Sequence, residues 1–158
     1  MADEKNLTQA KAAFKALCDA MDAMDWKYKK IDEFTIETGA KGEDLPIKIA
    51  IRLDEKRSLI KLISLPGFNV PEDKRIDMAL AVTMANYGMV HGCFDYNILD
   101  GRIYFRMITS YADMQLDEEV FRYLLLCACQ TVDDYNDKFL MLSKGMLSVE
   151  DFLKAENN

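Results

Sequence analysis

The sequence predicts an α+β fold: a two-layer sandwich in which helices pack on a mainly antiparallel five-stranded sheet, in the order α-β-β-β-α-β-β-α-α. Three observations carry this. Helical and strand-like apolar periodicities follow each other in separate blocks along the chain. The strand blocks are joined by short loops and by one hairpin signal, which favours antiparallel pairing. The length, 158 residues, is that of one domain, expected to span residues 1–158.

The first element is a helix. Leu7, Ala10, Phe14, Leu17, Met21 and Met24 recur at alternating spacings of three and four and form one apolar stripe. Lys11, Lys15, Asp19, Asp22 and Asp25 take the other faces. Such a helix lies on a sheet.

Three strands come next. In Ile31 to Thr38, Phe34 and Ile36 alternate with Glu33, Thr35 and Glu37. Residues Gly39 to Asp44 read as a turn or loop. Ile47, Ile49, Ile51 and Leu53 alternate with Lys48, Ala50 and Arg52, the pattern of a half-buried strand. After the charged turn Asp54-Glu55-Lys56-Arg57, the segment Ser58 to Leu65 is apolar on both faces, as in a central strand.

Pro66-Gly67 closes the sheet segment, and Asn69-Val70-Pro71-Glu72 opens a second helix. Proline is tolerated in a first helical turn, where its missing N–H is no loss. Glu72 and Asp73 suit the positive end of the helix dipole. Ile76, Leu80, Thr83 and Tyr87 fall near one face, with Ala79 and Met84 beside it, and Gly88 is a natural stop.

A hairpin follows, with Asp100-Gly101 as a two-residue type I′ signal between alternating runs. That register sets Ile98 against Ile103, Asn97 against Tyr104, Tyr96 against Phe105 and Asp95 against Arg106. Phe94, Tyr96, Ile98, Ile103, Phe105 and Met107 then face the core. Cys93, Asp95, Asn97, Leu99, Arg102, Tyr104, Arg106 and Ile108 face the other way. Asp95 and Arg106 form a cross-strand ion pair worth roughly 0.2–1 kcal/mol. A long helix runs from about Asp117 to Leu142, apolar nearly all round from Val120 to Cys129 and therefore buried on more than one side. Gly145 breaks it, and Ser148-Val149-Glu150-Asp151 starts a short terminal helix carrying Phe152 and Leu153.

Composition excludes several classes. Half of the chain is hydrophobic and 30% is charged, an ordinary globular balance. No run approaches the roughly 18 apolar residues of a membrane span, so no membrane partner is expected. Met1-Ala2-Asp3-Glu4-Lys5 lacks the basic and apolar regions of a signal peptide, so the expected location is cytoplasmic. Twenty basic and 27 acidic residues give a net charge of −7. That is the wrong long-range field for a phosphate backbone, so no nucleic-acid partner is expected either. The same excess favours a basic partner.

The residue types that carry chemistry do not converge. Cys18, Cys93, Cys127 and Cys129 form no C-x-x-C pair. Cys127 and Cys129 lie two apart on a helix and point to nearly opposite sides. They read as reduced thiols acting as small hydrophobes. His91 is the single histidine and has no partner for acid–base work in the pattern. There is no phosphate-binding glycine motif. Asp133-Asp134-Tyr135-Asn136-Asp137 spreads around a helix and lacks the glycine and closing glutamate of a calcium loop, so it reads as a solvated face with Tyr135 buried. The ten methionines read as core filler. No catalytic, cofactor-binding or metal-ligating residue is assigned, and the chain is not expected to be an enzyme.

Four short segments resemble a known family: Asn86-Tyr87-Gly88, Gly92-Cys93-Phe94, Asp100 to Arg106, and Leu116 to Phe121. Together with the element order they are similar to the pattern of YbjN-like proteins, labelled "putative bacterial sensory transduction regulators", whose fold is similar to that of type III secretion chaperones. The resemblance covers nearly the whole chain. It implies a noncatalytic bacterial domain that binds protein segments and tends to dimerise.

Two functions follow as expectations. The first is a regulatory or chaperone-like interaction protein. Its surface would be the second face of the hairpin, where Leu99, Tyr104 and Ile108 stand among charges as an apolar centre with a polar rim. A protein segment or a second copy of the chain would dock there. The alternative is a small-molecule sensor with an apolar pocket between sheet and helices.

Overall fold

Ile47, Ile49, Ile51 and Leu53 put four branched side chains on one side of a nine-residue strand, and all four are buried. In the computed structural model, which describes residues 2–114 and 116–157, that strand is third in a six-stranded antiparallel sheet. Met1, the first residue read for a leader, lies outside the described residues, as do Gln115 and Asn158 of the expected 1–158 domain. The strands are β1 (Tyr28–Asp32), β2 (Thr35–Lys41), β3 (Pro46–Asp54), β4 (Leu59–Ser64), β5 (Cys93–Asn97) and β6 (Arg102–Ser110). Their order across the sheet is β1-β2-β3-β4-β6-β5, so β1 and β5 are the edges.

The helices are α1 (Ala2–Ala23), α2 (Arg75–Tyr87), α3 (Glu118–Ser143) and α4 (Val149–Glu156), with a 3-10 turn at Glu72–Lys74 leading into α2. Their apolar stripes share one core with the inner sheet residues, among them Leu17 and Met21 of α1, Phe121 and Phe139 of α3, and Phe152 of α4. Asp117 caps α3 by accepting from the Val120 N–H at 3.1 Å. Ser148 caps α4 by accepting from the Asp151 N–H at 3.1 Å. Each side chain satisfies a donor that the first helical turn leaves without a partner. No helix among the described residues is long and apolar enough to cross a membrane.

The architecture is the expected α+β sandwich, with three departures. The sheet has six strands rather than five, because the segment read as one strand, Ile31 to Thr38, is a hairpin. Asp32 accepts the Phe34 N–H at 2.8 Å and turns the chain at Glu33-Phe34, so that Asp32 pairs with Thr35. Phe34 leaves the strand and meets Phe14 of α1 edge-on at 6.2 Å. At the other end of β2, Gly39 to Lys41 continue the strand and only the following residues turn.

The second departure is the β5–β6 register. Phe94 faces Phe105, Tyr96 faces Ile103 and Asn97 faces Arg102, leaving a four-residue loop from Ile98 to Gly101. Two side chains impose it. Asn97 Oδ1 accepts the Leu99 N–H at 3.0 Å, and Asp100 Oδ1 accepts the Arg102 N–H at 3.0 Å. Gly101 sits at φ +75°, and a Cβ there would lie 2.2 Å from the Val70 carbonyl oxygen. The slip is two residues, so every strand residue keeps its expected face. Ile98 alone leaves the core face and is exposed in the loop.

The third departure is the orientation of α2. It buries Met78, Ala81, Val82 and Ala85. The stripe of Ile76, Leu80, Thr83 and Tyr87 faces solvent instead. Both faces carry apolar residues, and the one that meets the core has two alanines and a valine beside Met78.

Candidate functional site

The described helices pack on the inner sheet residues through one shared core and leave the outer face without a helix. Strand alternation places Lys48, Ala50 and Arg52 of β3, Leu59, Lys61 and Ile63 of β4, and Tyr104, Arg106 and Ile108 of β6 on that side. Register brings them together. Ile63 lies between Ala50 and Arg106, and Lys61 between Arg52 and Ile108. Tyr104 and Ile108 are therefore the diagonal neighbours of Ile63, one on either side of Arg106, which lies directly opposite it. Tyr104 is half-buried and Ile108 is 42% exposed. Leu99 belongs to the loop rather than to this face. It is 82% exposed, and its carbonyl accepts a 2.7 Å hydrogen bond from the Arg75 guanidinium.

The surrounding charges are ordered. Arg106 donates to both carboxylate oxygens of Asp95, the Oδ1 contact being 3.0 Å, and its Nε makes the ion pair. The pair was expected from directly opposed residues, but the observed register makes it diagonal, since Asp95 faces Tyr104 and Cys93 faces Arg106. The Arg106 hydrogen bond holds the Asp95 carboxyl below its ordinary pKa, against the opposing effect of burial. Lys61 donates to Asp54 at 2.7 Å and, with the Arg57 N–H, lowers that carboxyl in the same way. Burial, ahead of Asp95, raises the Tyr104 phenol. Lys48 and Arg52 add two further positive charges. Arg106 and Lys61 are thus offset by Asp95 and Asp54, and Glu37 lies opposite Ala50, so the face mixes charges and keeps Lys48 and Arg52 outside these two pairs.

The remaining reactive residues have structural surroundings. The His91 ring meets Tyr123 edge-on at 5.4 Å. All four cysteines are free thiols, with Cys18 buried and the others half-buried. Burial, then Asp133, pushes the Cys129 thiol up to about 11. Among the described residues, no three His, Cys, Asp or Glu side chains group to hold a metal ion. The acidic run on α3 is put to use residue by residue. Asp133 accepts the Glu43 N–H at 2.9 Å, pinning the β2–β3 turn to α3. Asp134 accepts from Gln130 at 2.8 Å. The Tyr135 hydroxyl donates to Glu156 at 2.7 Å, tying α4 to α3.

A second feature was not singled out from the sequence. A cavity of about 450 Å³ opens where the start of β3, the segment after β4 and the last turns of α3 meet. Asn136, Leu140 and Lys144 line it at successive steps of four along α3. Asn136 is 5% exposed, and its Oδ1 is buried without a hydrogen-bond partner. The one signal in the sequence is an asparagine four residues after Val132 and four before Leu140, inside an apolar stripe.

Comparison with known proteins agrees with this architecture. The YbjN family, described as "Putative bacterial sensory transduction regulator", matches over residues 14–141. No curated protein matches the chain. Among solved structures, a chain of the HopA1–SchA chaperone–effector complex superposes with a TM-score of 0.55 at 11% identity, covering 83% of this chain and 97% of that one. YbjN from E. coli, described as "a putative transcription regulator", gives a TM-score of 0.56 at 10% identity, with 90% of each chain covered. A chain of the ExsC–ExsE complex gives 0.51 at 14% identity, covering 80% of this chain and 94% of that one. At such identities the likeness is one of fold.

Proposed function

The chain belongs to the YbjN family, and from that premise we propose that it is a noncatalytic bacterial regulatory or chaperone-like protein that binds a segment of another protein on the outer face of its sheet. The observation that carries this reading is the trio Ile63, Tyr104 and Ile108, set around the ion-paired Arg106 and flanked by Lys61 and Arg52. Large apolar side chains beside ordered polar ones are what a protein interface presents. Lys48 and Arg52, outside the two ion pairs, favour a segment that mixes acidic with large apolar residues. Leu99, at the hairpin tip, extends the contact at one end. Two structures of the same fold, in the HopA1–SchA and ExsC–ExsE complexes, come from two-protein assemblies, which supports the same reading. Four unpaired thiols accord with a reducing, cytoplasmic setting.

The test is site-specific photo-crosslinking in cells, with the reactive group placed at Tyr104 or Ile108 and a control at the exposed Lys15 of α1. The expected product joins the sheet positions, and not the control, to one acidic and apolar segment of a different protein. Crosslinks from Tyr104 and Ile108 that match those of the control would refute the proposal.

A further inference from the structure

The face that α2 turns to solvent is a continuous apolar line. Ile76, Leu80, Thr83 and Tyr87 follow each other at spacings of four, three and four, which sets them one above the other along the helix. The line runs about 16 Å, at a rise of about 1.5 Å per residue. Ile76, Leu80 and Tyr87 are exposed, while Met78, Ala81, Val82 and Ala85 hold the opposite face in the core. Thr83 does not interrupt the line, because its hydroxyl donates back to the Ala79 carbonyl at 2.7 Å. Single exposed apolar residues are ordinary, but a contiguous set marks an interaction surface.

The charges that border this line have one sign. Glu72 and Asp73 precede Ile76 by four and three positions, and both are exposed. Asp77 flanks the line three positions before Leu80. The two cations of the same turn are directed elsewhere. The Arg75 guanidinium donates to the Leu99 carbonyl at 2.7 Å. The Lys74 side chain lies along Gly145, where a Cβ would meet its Cε at 3.5 Å. Beyond Arg75, α2 carries no basic residue.

We propose that this face of α2 docks an amphipathic helix of another protein, one that is apolar along one side, carries lysine or arginine in its last turn, and lies antiparallel to α2. The two apolar stripes meet through anchors spaced three and four apart. The basic turn meets Glu72 and Asp73. Cations suit the C-terminal turn of a helix, so the end that carries them is the end that reaches the start of α2, and this sets the direction. The same acids disfavour an anionic lipid surface and the acidic segment that suits Lys48 and Arg52 on the sheet. The two faces therefore take different partners.

The test is amide NMR of the isotope-labelled full chain, titrated with synthetic peptides of about 18 residues, long enough to form a helix. The first peptide has leucines along one face and lysines in its last turn. The second replaces those lysines with glutamates, and the third replaces the leucines with serines. Expected with the lysine peptide are saturable shifts centred on Ile76, Leu80 and Tyr87. The glutamate peptide should bind about threefold to tenfold more weakly, the effect of a few exposed charge pairs. The serine peptide should not bind. Leu80→Lys, an exposed change, should abolish binding of the lysine peptide. The double variant Glu72→Gln, Asp73→Asn should keep the binding and remove most of the preference for lysine over glutamate. Four results would overturn the proposal: no saturable shift up to millimolar lysine peptide, shifts centred on Tyr104 and Ile108 instead, equal binding of the lysine and glutamate peptides, or a preference that the Glu72, Asp73 variant keeps in full. A wild type that is dimeric without peptide and is made monomeric by Leu80→Lys would overturn it as well, by giving the face to a second copy of the chain.

Discussion

Asn86 pairs with Phe94 as a neighbouring strand would: its Nδ2 donates to the Phe94 carbonyl at 2.9 Å, and its Oδ1 accepts the Phe94 N–H at 2.8 Å. Phe94 lies on β5, an edge of the sheet, so these two groups face away from β6. An exposed edge is a template for unwanted pairing, and the amide closes it at its centre. The same contact fixes the C-terminal end of α2 to the sheet. Asn86→Ala leaves a donor and an acceptor unpaired and is expected to cost about 2–3 kcal/mol, two hydrogen bonds' worth. Asn86→Asp keeps the acceptor but sets a carboxylate oxygen against the Phe94 carbonyl, so near pH 7 it should cost at least as much. Urea denaturation of the two variants measures both, and a loss under about 0.5 kcal/mol for the alanine would show that water replaces the amide freely.

The Asp95–Arg106 pair predicts a pH dependence. Arg106 lowers the folded-state pKa of Asp95, while the unfolded value is about 3.9. The folded state then binds the proton less readily, so the pair contributes its full stability above about pH 4 and loses it as pH falls through the lower folded value. Asp95→Asn should cost about 1–2 kcal/mol near pH 7, between the values for exposed and buried charged pairs. The gap between wild type and variant should shrink steadily toward pH 3. A gap that is flat from pH 7 to pH 3 would assign the loss to packing rather than charge.

What the sequence made legible, and what it hid, divides by range. β3, the start of α3 near Asp117 and the start of α4 at Ser148 are local patterns, and they fold as read. The outer face of β6 was legible for the same reason, since a two-residue period places Tyr104, Arg106 and Ile108 on one face whatever the register. The split of the first strand was hidden because Glu33-Phe34 fits the alternation, and only the Asp32 side chain makes it a turn. The orientation of α2 was hidden because both of its faces carry apolar residues, so periodicity cannot choose between them. Leu99 was misplaced by a register that Asn97 and Asp100 override. The cavity draws its walls from three distant segments, and no window along the chain contains it.

The thiols give a third prediction. The four cysteines are free, so thiol titration of freshly purified, denatured protein should count four. In the native state Cys129 should be slow. Its pKa of about 11 leaves little thiolate near pH 7.5, and alkylation should run about a hundredfold or more slower than for an unperturbed cysteine. Mass spectrometry after timed iodoacetamide labelling resolves it from Cys127. Rapid labelling of Cys129 would mean that α3 opens locally at that turn. A stoichiometric disulfide would overturn the reducing setting proposed above.

The last prediction concerns what covers the outer sheet face when no partner segment is bound. Ile63 has Tyr104 and Ile108 as diagonal neighbours on either side of Arg106, and apolar side chains left open on a sheet face lower their free energy by meeting others. A twofold contact between two copies does so with one surface, and twofold dimers are the commonest oligomers. Arg106 and Lys61 on this face are already paired with Asp95 and Asp54. Lysines at positions 104 and 108 would therefore bring charges without partners into the contact. Neither side chain belongs to the buried core, so the fold should survive. We expect the wild type to be a dimer at high micromolar concentration by light scattering. The double variant Tyr104→Lys, Ile108→Lys should be a monomer with an unchanged circular dichroism spectrum and melting temperature. A wild type that stays monomeric would remove the dimer. A variant that stays dimeric would move the contact to the exposed stripe of α2, where Ile76 is 65%, Leu80 49% and Tyr87 88% exposed. Leu80→Lys would then be the change that separates the two copies.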